Sequence, residues 1–316
     1  MDVRDRIIGA YYGWFFGPGA ILRKGLKDNY WNIKKSPKFS KIKSFEAIPS
    51  DYKMYDQLTQ TLIVHSIIKK HGRITPELFK AELLELNKKD NILKNDQYGP
   101  STQKAIREIL EGKNVRTTGN DGVTTGGAMR CLPVALFFRN NLEKIIENTY
   151  ESCIISHNTD VAISGALAVN LMVYYLLKGE KRRRALNLTL DRLKKEYGKY
   201  GEPTAFALMP AKIKYVTDLV NGRGFQDATR LIAENIGFSW YAIEQIPAAF
   251  GIYFSTTNAK EAELMSFKLG YGHTGPQIAC AFHGAEKGPG IFPRKILKKI
   301  EQINHFDIED LIKDIS

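Results

Sequence analysis

A glycine-rich segment near the carboxyl end of the chain holds two side chains that can take part in chemistry. Residues 270–290 begin with three glycines within six positions, and His273 and Thr274 lie between the second and third of them. Closely spaced glycines let a backbone turn tightly and approach a ligand, and a helix that begins near Pro276 would point its free N–H groups at that ligand. The pattern predicts either a ligand-binding loop or an ordinary connection between packed helices.

A second glycine-containing stretch carries groups that suit a phosphate. Thr125, Gly126 and Gly127 can offer a hydroxyl and backbone N–H groups to an anion. Arg130 has apolar neighbours, so it is either a diphosphate-binding residue or a buried, hydrogen-bonded structural arginine. Further along, His157 is either a ligand contact or a member of a helix-capping cluster.

The common catalytic and cofactor motifs are missing from the sequence. It contains no H-E-x-x-H, no P-loop and no G-x-S-x-G. Its three cysteines, Cys131, Cys153 and Cys280, are far apart, lie in apolar surroundings and show no C-x-x-C spacing. We therefore expect them to be buried packing residues in a reducing compartment.

The elements that must position these residues are helices. Apolar residues recur at helical spacing, for example over residues 58–68 and 78–84. Thr75 before a proline and Asn258 before an acidic turn are typical helix N-caps. Hairpin signals are nearly absent, and the glycine and proline clusters are too short for interdomain linkers. The sequence predicts an all-α fold, a single compact multi-helix domain over residues 1–316.

The net charge of +12 raises the question of an anionic partner. Basic runs such as residues 181–184 stand beside acids on predicted helices, which favours a solvated face, and no nucleic-acid motif appears. The longest apolar run, residues 165–177, is interrupted by Asn170 and is shorter than the roughly 20 residues that cross a membrane. We expect a cytoplasmic protein with no membrane partner, and the pattern does not favour a nucleic-acid partner.

Several segments, taken together and in order, resemble the ADP-ribosylglycohydrolase family, which includes the dinitrogenase-reductase-activating glycohydrolase. They are residues 5–20, 126–133, 156–170, 244–249 and 270–290. The resemblance spans nearly the whole chain, and the order of its blocks is more specific than any one of them. It implies an all-helical fold with a central cleft that binds ADP-ribose and, in active members, two magnesium ions.

The residues that hold those ions in the family are mostly replaced in this chain. The resemblance implies a Thr-Asp-Asp triplet and an Asp-x-Asp-Thr motif, which fall here on Tyr55, Asp56 and Gln57, and on Tyr271, Gly272, His273 and Thr274. Only Asp56 and Thr274 are retained. Two neighbouring dications need several carboxylates, and histidine nitrogen suits transition metals better than magnesium. We expect the two-magnesium site to be absent, with Tyr55 and Tyr271 as candidates to fill its space.

Three functions remain open. The first is binding of an ADP-ribose-like small molecule with weak or lost hydrolysis, through Thr125, Gly126, Gly127, Arg130, His157, Gly272 and Thr274. The second is an active glycohydrolase that cleaves an N- or O-glycosidic ADP-ribose bond, in which Asp56 and His273 share the acid and base roles. Against this, Asp56 could be a helix residue paired with a lysine. The third is a basic surface that binds nucleic acid or protein.

Overall fold

Seventeen α-helices and three short 3₁₀ helices build the part of the chain described by a computed structural model, residues 1–20, 29–270 and 272–315. The α-helices are α1 (Val3–Gly19), α2 (Tyr30–Lys35), α3 (Asp56–His71), α4 (Pro76–Asp90), α5 (Pro100–Leu110), α6 (Gly126–Arg130), α7 (Leu132–Phe137), α8 (Leu142–His157), α9 (Asp160–Leu177), α10 (Arg182–Glu196), α11 (Met209–Leu219), α12 (Phe225–Asn235), α13 (Ala242–Ser255), α14 (Ala259–Leu269), α15 (Thr274–Lys287), α16 (Arg294–Asn304) and α17 (Ile308–Lys313). The 3₁₀ helices are Phe45–Ala47, Ile92–Lys94 and Pro289–Ile291. Over these residues the only β-type pairing is three isolated bridges, so the predicted all-α class is confirmed.

The central helix of the domain is α9, which packs against α6, α8, α10, α13 and α15. It is long and apolar enough to cross a membrane, but 78% of it is buried inside the protein. A helix that is apolar on all sides and enclosed by other helices belongs to a core. The other helices assemble around α9 into one compact domain, with most of the buried apolar side chains in a single cluster.

The backbones of α1 and α15 lie in direct contact. A Cβ atom added at Gly9 would lie 2.2 Å from the carbonyl oxygen of Gly284, and one added at Gly13 would lie 2.1 Å from that of Cys280. Gly17 lies four residues further along on the same face of α1, because positions i and i+4 share a helix face, and it makes the same kind of close contact with α15. Only glycine allows this approach, so the glycines of α1 set the distance between α1 and α15.

Most local sequence signals match the structure. The hydroxyl of Thr75 and the side-chain oxygen of Asn258 each accept a hydrogen bond from the backbone N–H three residues on, at 3.3 and 3.0 Å, and so cap α4 and α14 as predicted. α15 begins at Thr274, two residues before the predicted Pro276. Proline is tolerated there because the first turn of a helix has no internal use for its N–H groups. All three cysteines are buried, as expected.

The basic segment at residues 181–184 is only partly the solvated face that we expected. Arg182 is 21% exposed, forms an ion pair with Glu286 at 2.6 Å and donates to the carbonyl oxygen of Tyr253 at 2.7 Å. The next two arginines form ion pairs with nearby acids. Arg182 thus ties α10 to α13 and α15, which a free cation on the surface would not do.

Candidate functional site

A cleft of about 430 Å³ lies where the ends of several helices meet. Ligand pockets usually enclose roughly 300–1,000 Å³, so this cleft is large enough for a small organic molecule. Its described walls are residues 96–102, 124–126 and 240–241 with Asp56, Met129, His157 and His273. The cleft therefore joins parts of the chain that are far apart in sequence.

The structure brings five predicted site residues together and separates four from them. Those in the cleft walls are Asp56, Thr125, Gly126, His157 and His273. Those outside the described walls are Gly127, Arg130, Gly272 and Thr274. Gly127, Arg130 and Thr274 are buried, and Gly272 is partly buried beside His273.

Asp56 is the first residue of α3 and is 6% exposed. The partial positive charge at a helix amino end favours a carboxylate at this position. Gly99 lies opposite, since a Cβ atom added there would be 3.9 Å from Asp56 Oδ2. Next to it, burial is the main cause that raises the pKa of Tyr98 to about 12, with the Asp90 and Asp56 carboxylates contributing. The Tyr98 hydroxyl therefore stays protonated in the cleft wall next to Asp56.

His157, the last residue of α8, is an uncharged part of the wall. Its Nε2 lies 2.8 Å from Thr124 Oγ1, and its Nδ1 lies 2.8 Å from Ser156 Oγ. Burial, and secondarily the charge of Arg130, hold the pKa of His157 well below its ordinary value. The ring packs on Gly126, where an added Cβ would lie 2.4 Å from Cε1. His157 thus positions the loop that enters α6.

Arg130 is completely buried in the protein and joins α3, α6 and α8. Its guanidinium donates to the carbonyl oxygen of Ser152 at 3.0 and 2.7 Å, to Gln60 Oε1 at 2.6 Å and to Ser156 Oγ at 3.0 Å. It also lies 4.7 Å from the ring centroid of Phe79. Burial lowers its pKa to about 10, which leaves it charged at neutral pH. These contacts favour the structural alternative over diphosphate binding.

A set of hydrogen bonds ties the loop before α6 to the start of α15. The hydroxyls of Thr125 and Thr274 are 3.1 Å apart, and Thr274 is fully buried. The N–H of Thr125 donates to the carbonyl oxygen of Trp240 at 3.1 Å. An isolated bridge pairs Thr124 with Tyr241. The three wall segments therefore hold one another in place.

His273 occupies the N-cap position of α15 and lines the cleft. Its Nδ1 is buried and has no hydrogen-bond partner among the described residues. The preceding Gly272 has φ +106°, and a Cβ added there would lie 1.5 Å from the Gln245 amide nitrogen. Glycine is thus required at position 272, directly before His273. Tyr271 lies outside the described residues.

Sequence reasoning missed two parts of the cleft wall. Trp240 and Tyr241 are 62% and 42% exposed, although aromatic rings of this size usually lie in the core. They are two consecutive aromatic residues directly before α13, and their place beside the cleft depends on packing between distant helices. Residues 96–102 carried no signal beyond a glycine and a proline.

Two magnesium ions need several carboxylates in one place. Among the described residues, no three side chains of the types His, Cys, Asp or Glu come together as a metal site would need. Tyr55 is partly buried, lies outside the described cleft walls and has the Lys53 ammonium 5.9 Å from its ring centroid. The idea that Tyr55 and Tyr271 fill the space of the ions stays a prediction.

A second hollow of about 680 Å³ lies between α2, α12 and α14. Two of its charged side chains make contacts within the fold. Arg230 forms an ion pair with Glu234 at 2.7 Å, and the Lys268 ammonium donates to the carbonyl oxygens of Phe39 and Ser40. The smaller cleft, where the predicted site residues converge, is therefore the better candidate site.

Comparison with known proteins identifies the family to which the chain is similar. The sequence profile of the ADP-ribosylglycohydrolase family matches residues 2–316. The chain is 22% identical to the uncharacterized protein YegU of Escherichia coli (strain K12), over 96% of this chain and 94% of that protein. It is 25% identical to an uncharacterized protein of Archaeoglobus fulgidus, over 68% of this chain and 65% of that protein.

A solved structure has the same fold. It is titled an ADP-ribosylglycohydrolase-related protein complex, and it superposes with a TM-score of 0.68 over 99% of this chain and 98% of its own. The sequences are 18% identical, so this likeness concerns the fold alone.

Proposed function

The chain belongs to the ADP-ribosylglycohydrolase family, and from this premise we propose that its cleft binds ADP-ribose or a related nucleotide, with hydrolysis weak or lost. The observation that carries the proposal is the convergence of Asp56, Thr125, Gly126, His157 and His273 on one cleft of about 430 Å³. Residues separated by more than two hundred positions meet there, next to two exposed aromatic rings.

The walls supply groups that suit a nucleotide. The rings of Trp240 and Tyr241 offer stacking surfaces, and stacking of a base on an aromatic ring contributes about 1–3 kcal/mol. The carboxylate of Asp56 can accept hydrogen bonds from ribose hydroxyls, as acidic residues do in other nucleotide sites. Thr124 and Thr125 add hydroxyls to the same walls.

Weak hydrolysis follows from the metal-binding groups that the site lacks. Of the family's ion-holding positions, this chain retains Asp56 and Thr274, and the Thr274 hydroxyl is buried against Thr125. One carboxylate cannot offset the mutual repulsion of two dications. The groups present do not fit two magnesium ions, and we derive no catalytic step through them.

A second candidate function is metal-independent cleavage by Asp56 and His273. Both residues line the cleft, which is the observation that favours this candidate. In such a reaction, one group gives a proton to the leaving nitrogen or oxygen as its bond to the ribose carbon breaks. The other takes a proton from the water that attacks this carbon.

The basic-surface alternative has less support. Three arginines of the segment 181–184 form ion pairs with acids, which offset part of the local positive charge. The cytoplasmic location stays a prediction.

Calorimetry with ADP-ribose, in chelator and in excess magnesium, tests the proposal. We expect binding with a dissociation constant that differs by less than about twofold between the two conditions, since no magnesium takes part. Asp56→Asn should weaken binding, while Asp310→Asn, a matched change at an exposed carboxylate on α17, should not.

Two results would change the proposal. No binding at millimolar ADP-ribose would reject it. Steady hydrolysis of ADP-ribosyl-arginine that is lost in both Asp56→Asn and His273→Gln would replace it with the second candidate function.

A further inference from the structure

A lysine-rich segment, residues 34–43, concentrates positive charge on one part of the surface. It contains five lysines and no aspartate or glutamate, so its formal charge is +5 within a chain of net charge +12. All five lysines are exposed, and none of them forms an ion pair with an acid among the described residues. The segment 181–184 differs, because three of its arginines are paired. Uncompensated charge of this kind attracts an anionic partner.

Buried contacts hold the lysine-rich segment in place. Ile33, directly before it, and Ile42 within it are 1% and 7% exposed. The ring of Phe39 meets the ring of Phe267 on α14 edge to face, with 5.7 Å between the centroids. The Lys268 ammonium, also on α14, donates to the carbonyl oxygens of Phe39 and Ser40 at 3.0 and 3.3 Å. A backbone that is already ordered loses little conformational entropy when a partner binds.

The segment forms one wall of the hollow of about 680 Å³ between α2, α12 and α14. Lys34 and Lys43 line the hollow from the segment, and Lys268 lines it from α14. Burial is the main cause that lowers the pKa of Lys268, and the positive charge of Lys43 lowers it further. The two ammonium groups therefore repel each other, and an anion bound near both would relieve this repulsion.

The acids in the hollow already have partners. Its described walls carry four cationic side chains and two carboxylates, those of Asp227 and Glu261. Asp227 lies 3.7 Å from the Arg230 guanidinium. Glu261 accepts hydrogen bonds from the N–H and the hydroxyl of Thr257 at 2.7 and 2.9 Å. The balance of charge in the described walls is therefore positive.

An exposed aromatic ring lies beside the lysines. Trp31 is 45% exposed, and it is the only large apolar side chain that is exposed between residues 29 and 50. Its ring meets that of Tyr30 at 5.0 Å, and the Lys34 ammonium lies 5.7 Å from both ring centroids. An accessible ring among lysines is the combination that binds single-stranded nucleic acid, because an unpaired base can stack on the ring while lysines neutralise the phosphates.

Other polyanions use this surface less completely. The bases of a closed duplex are stacked on one another and do not reach an aromatic side chain. A membrane-binding surface inserts a broad apolar face into the bilayer, whereas this one exposes a single large apolar ring. An acidic peptide would pair with the lysines but would leave the ring of Trp31 without a matching group.

We propose that the lysine-rich segment and the hollow beside it bind a single-stranded nucleic acid, with phosphates against Lys34 and Lys43 and a base stacked on Trp31. This activity goes beyond the proposed function, because these residues lie outside the described walls of the cleft.

Fluorescence anisotropy with a labelled DNA strand of about 12 nucleotides and mixed sequence tests the proposal. We expect a micromolar dissociation constant at about 50 mM salt. The logarithm of the association constant should fall with the logarithm of the salt concentration with a slope of about −2 to −3.5, since three to five lysines each release about 0.7 counterion from a single strand.

Paired variants locate the charge. Lys34→Gln combined with Lys43→Gln should weaken binding about tenfold or more at low salt and make the slope shallower by about 1.4. Arg183→Gln combined with Arg184→Gln removes the same charge from exposed positions on α10 and should change binding by less than about twofold. Equal losses in the two double variants would show attraction to the whole basic surface and overturn the proposal.

A second pair of variants tests stacking. Trp31→Ala should weaken binding by about fivefold or more and leave the salt slope unchanged, because it removes a ring and no charge. Tyr215→Ala, at a ring on α11 that is 47% exposed, is the control. Trp31→Ala with no effect, or polyglutamate that binds as tightly as the strand, would overturn the proposal in favour of an acidic protein partner.

Three further results would also overturn the proposal. The first is tighter binding of the duplex of the same sequence. The second is binding to vesicles of phosphatidylserine and phosphatidylcholine without binding to the strand. The third is displacement of the strand by excess ADP-ribose, which would place the strand in the cleft. No binding of the strand at low salt rejects the proposal outright and leaves the proposed function of the cleft unaffected.

Discussion

A chain of hydrogen bonds behind the cleft sets the proton positions of single residues. Arg130 donates to Ser156 Oγ at 3.0 Å, which leaves the Ser156 proton free for His157 Nδ1 at 2.8 Å. A neutral imidazole that accepts at Nδ1 donates at Nε2, here to Thr124 Oγ1. The Thr124 hydroxyl can then donate its own proton to a ligand. The buried arginine thus acts on the cleft through two intermediate side chains.

Replacing Arg130 tests this structural role. Arg130→Met should lower the free energy of unfolding by about 3 kcal/mol or more, because it leaves buried acceptors on Ser152 and Gln60 unsatisfied. Denaturation in urea measures the loss, and Arg184→Met, at a side chain that is 71% exposed, provides the control. Unchanged stability with a tenfold loss of ligand affinity would instead make Arg130 a ligand contact.

Among the elements, the pair of α1 and α15 sets the position of the cleft wall. The glycines of α1 let the two backbones touch, and the amino end of α15 carries His273 and Thr274. Arg6 adds to the contact, since its guanidinium donates to the carbonyl oxygens of Ala285 and Glu286 at the other end of α15. A shift between the two helices would move the cleft wall directly.

A methyl group at Gly13 tests that contact. Gly13→Ala should lower the free energy of unfolding by about 1–3 kcal/mol, because the new Cβ would overlap the carbonyl group of Cys280. It should also weaken ligand binding, since α15 must move. Thermal unfolding and calorimetry measure the two effects. Gly290→Ala, where no atom lies within 4 Å of the added Cβ, is the control, and an equal loss in both variants would contradict this account.

Local sequence signals predicted the ends of helices well, but they predicted only some of the residues in the cleft wall. The caps at Thr75 and Asn258 were predictable because a cap depends on residues three positions apart. The wall at residues 96–102 and the exposed ring of Trp240 were not, because their place depends on how distant helices pack. For Arg130, the sequence left two roles open, and only the burial of its guanidinium favours one of them.

Over the whole molecule, buried neutral histidines set how stability depends on pH. His65, His157 and His283 lie in different parts of the domain, and burial is the main cause that lowers the pKa of each. His65 is hydrogen-bonded to Tyr11 at 2.7 Å and to Asp314 at 3.0 Å, which joins α3 to α1 and the carboxyl end of the chain. Because each ring is buried in the folded protein, adding a proton to it costs free energy in the folded state.

We expect the free energy of unfolding to fall as the pH decreases below about 6.5, the ordinary histidine pKa. In that range the unfolded chain binds a proton at each of the three histidines, while the native chain does not, since its pKa values are lower. Each such group contributes a slope of up to about 1.4 kcal/mol per pH unit.

Urea denaturation between about pH 7.5 and 5 measures the total slope. His283→Gln should reduce the slope by up to about 1.4 kcal/mol per pH unit, because glutamine does not titrate. Equal slopes in His283→Gln and the unaltered chain would show that this histidine already binds its proton in the folded state.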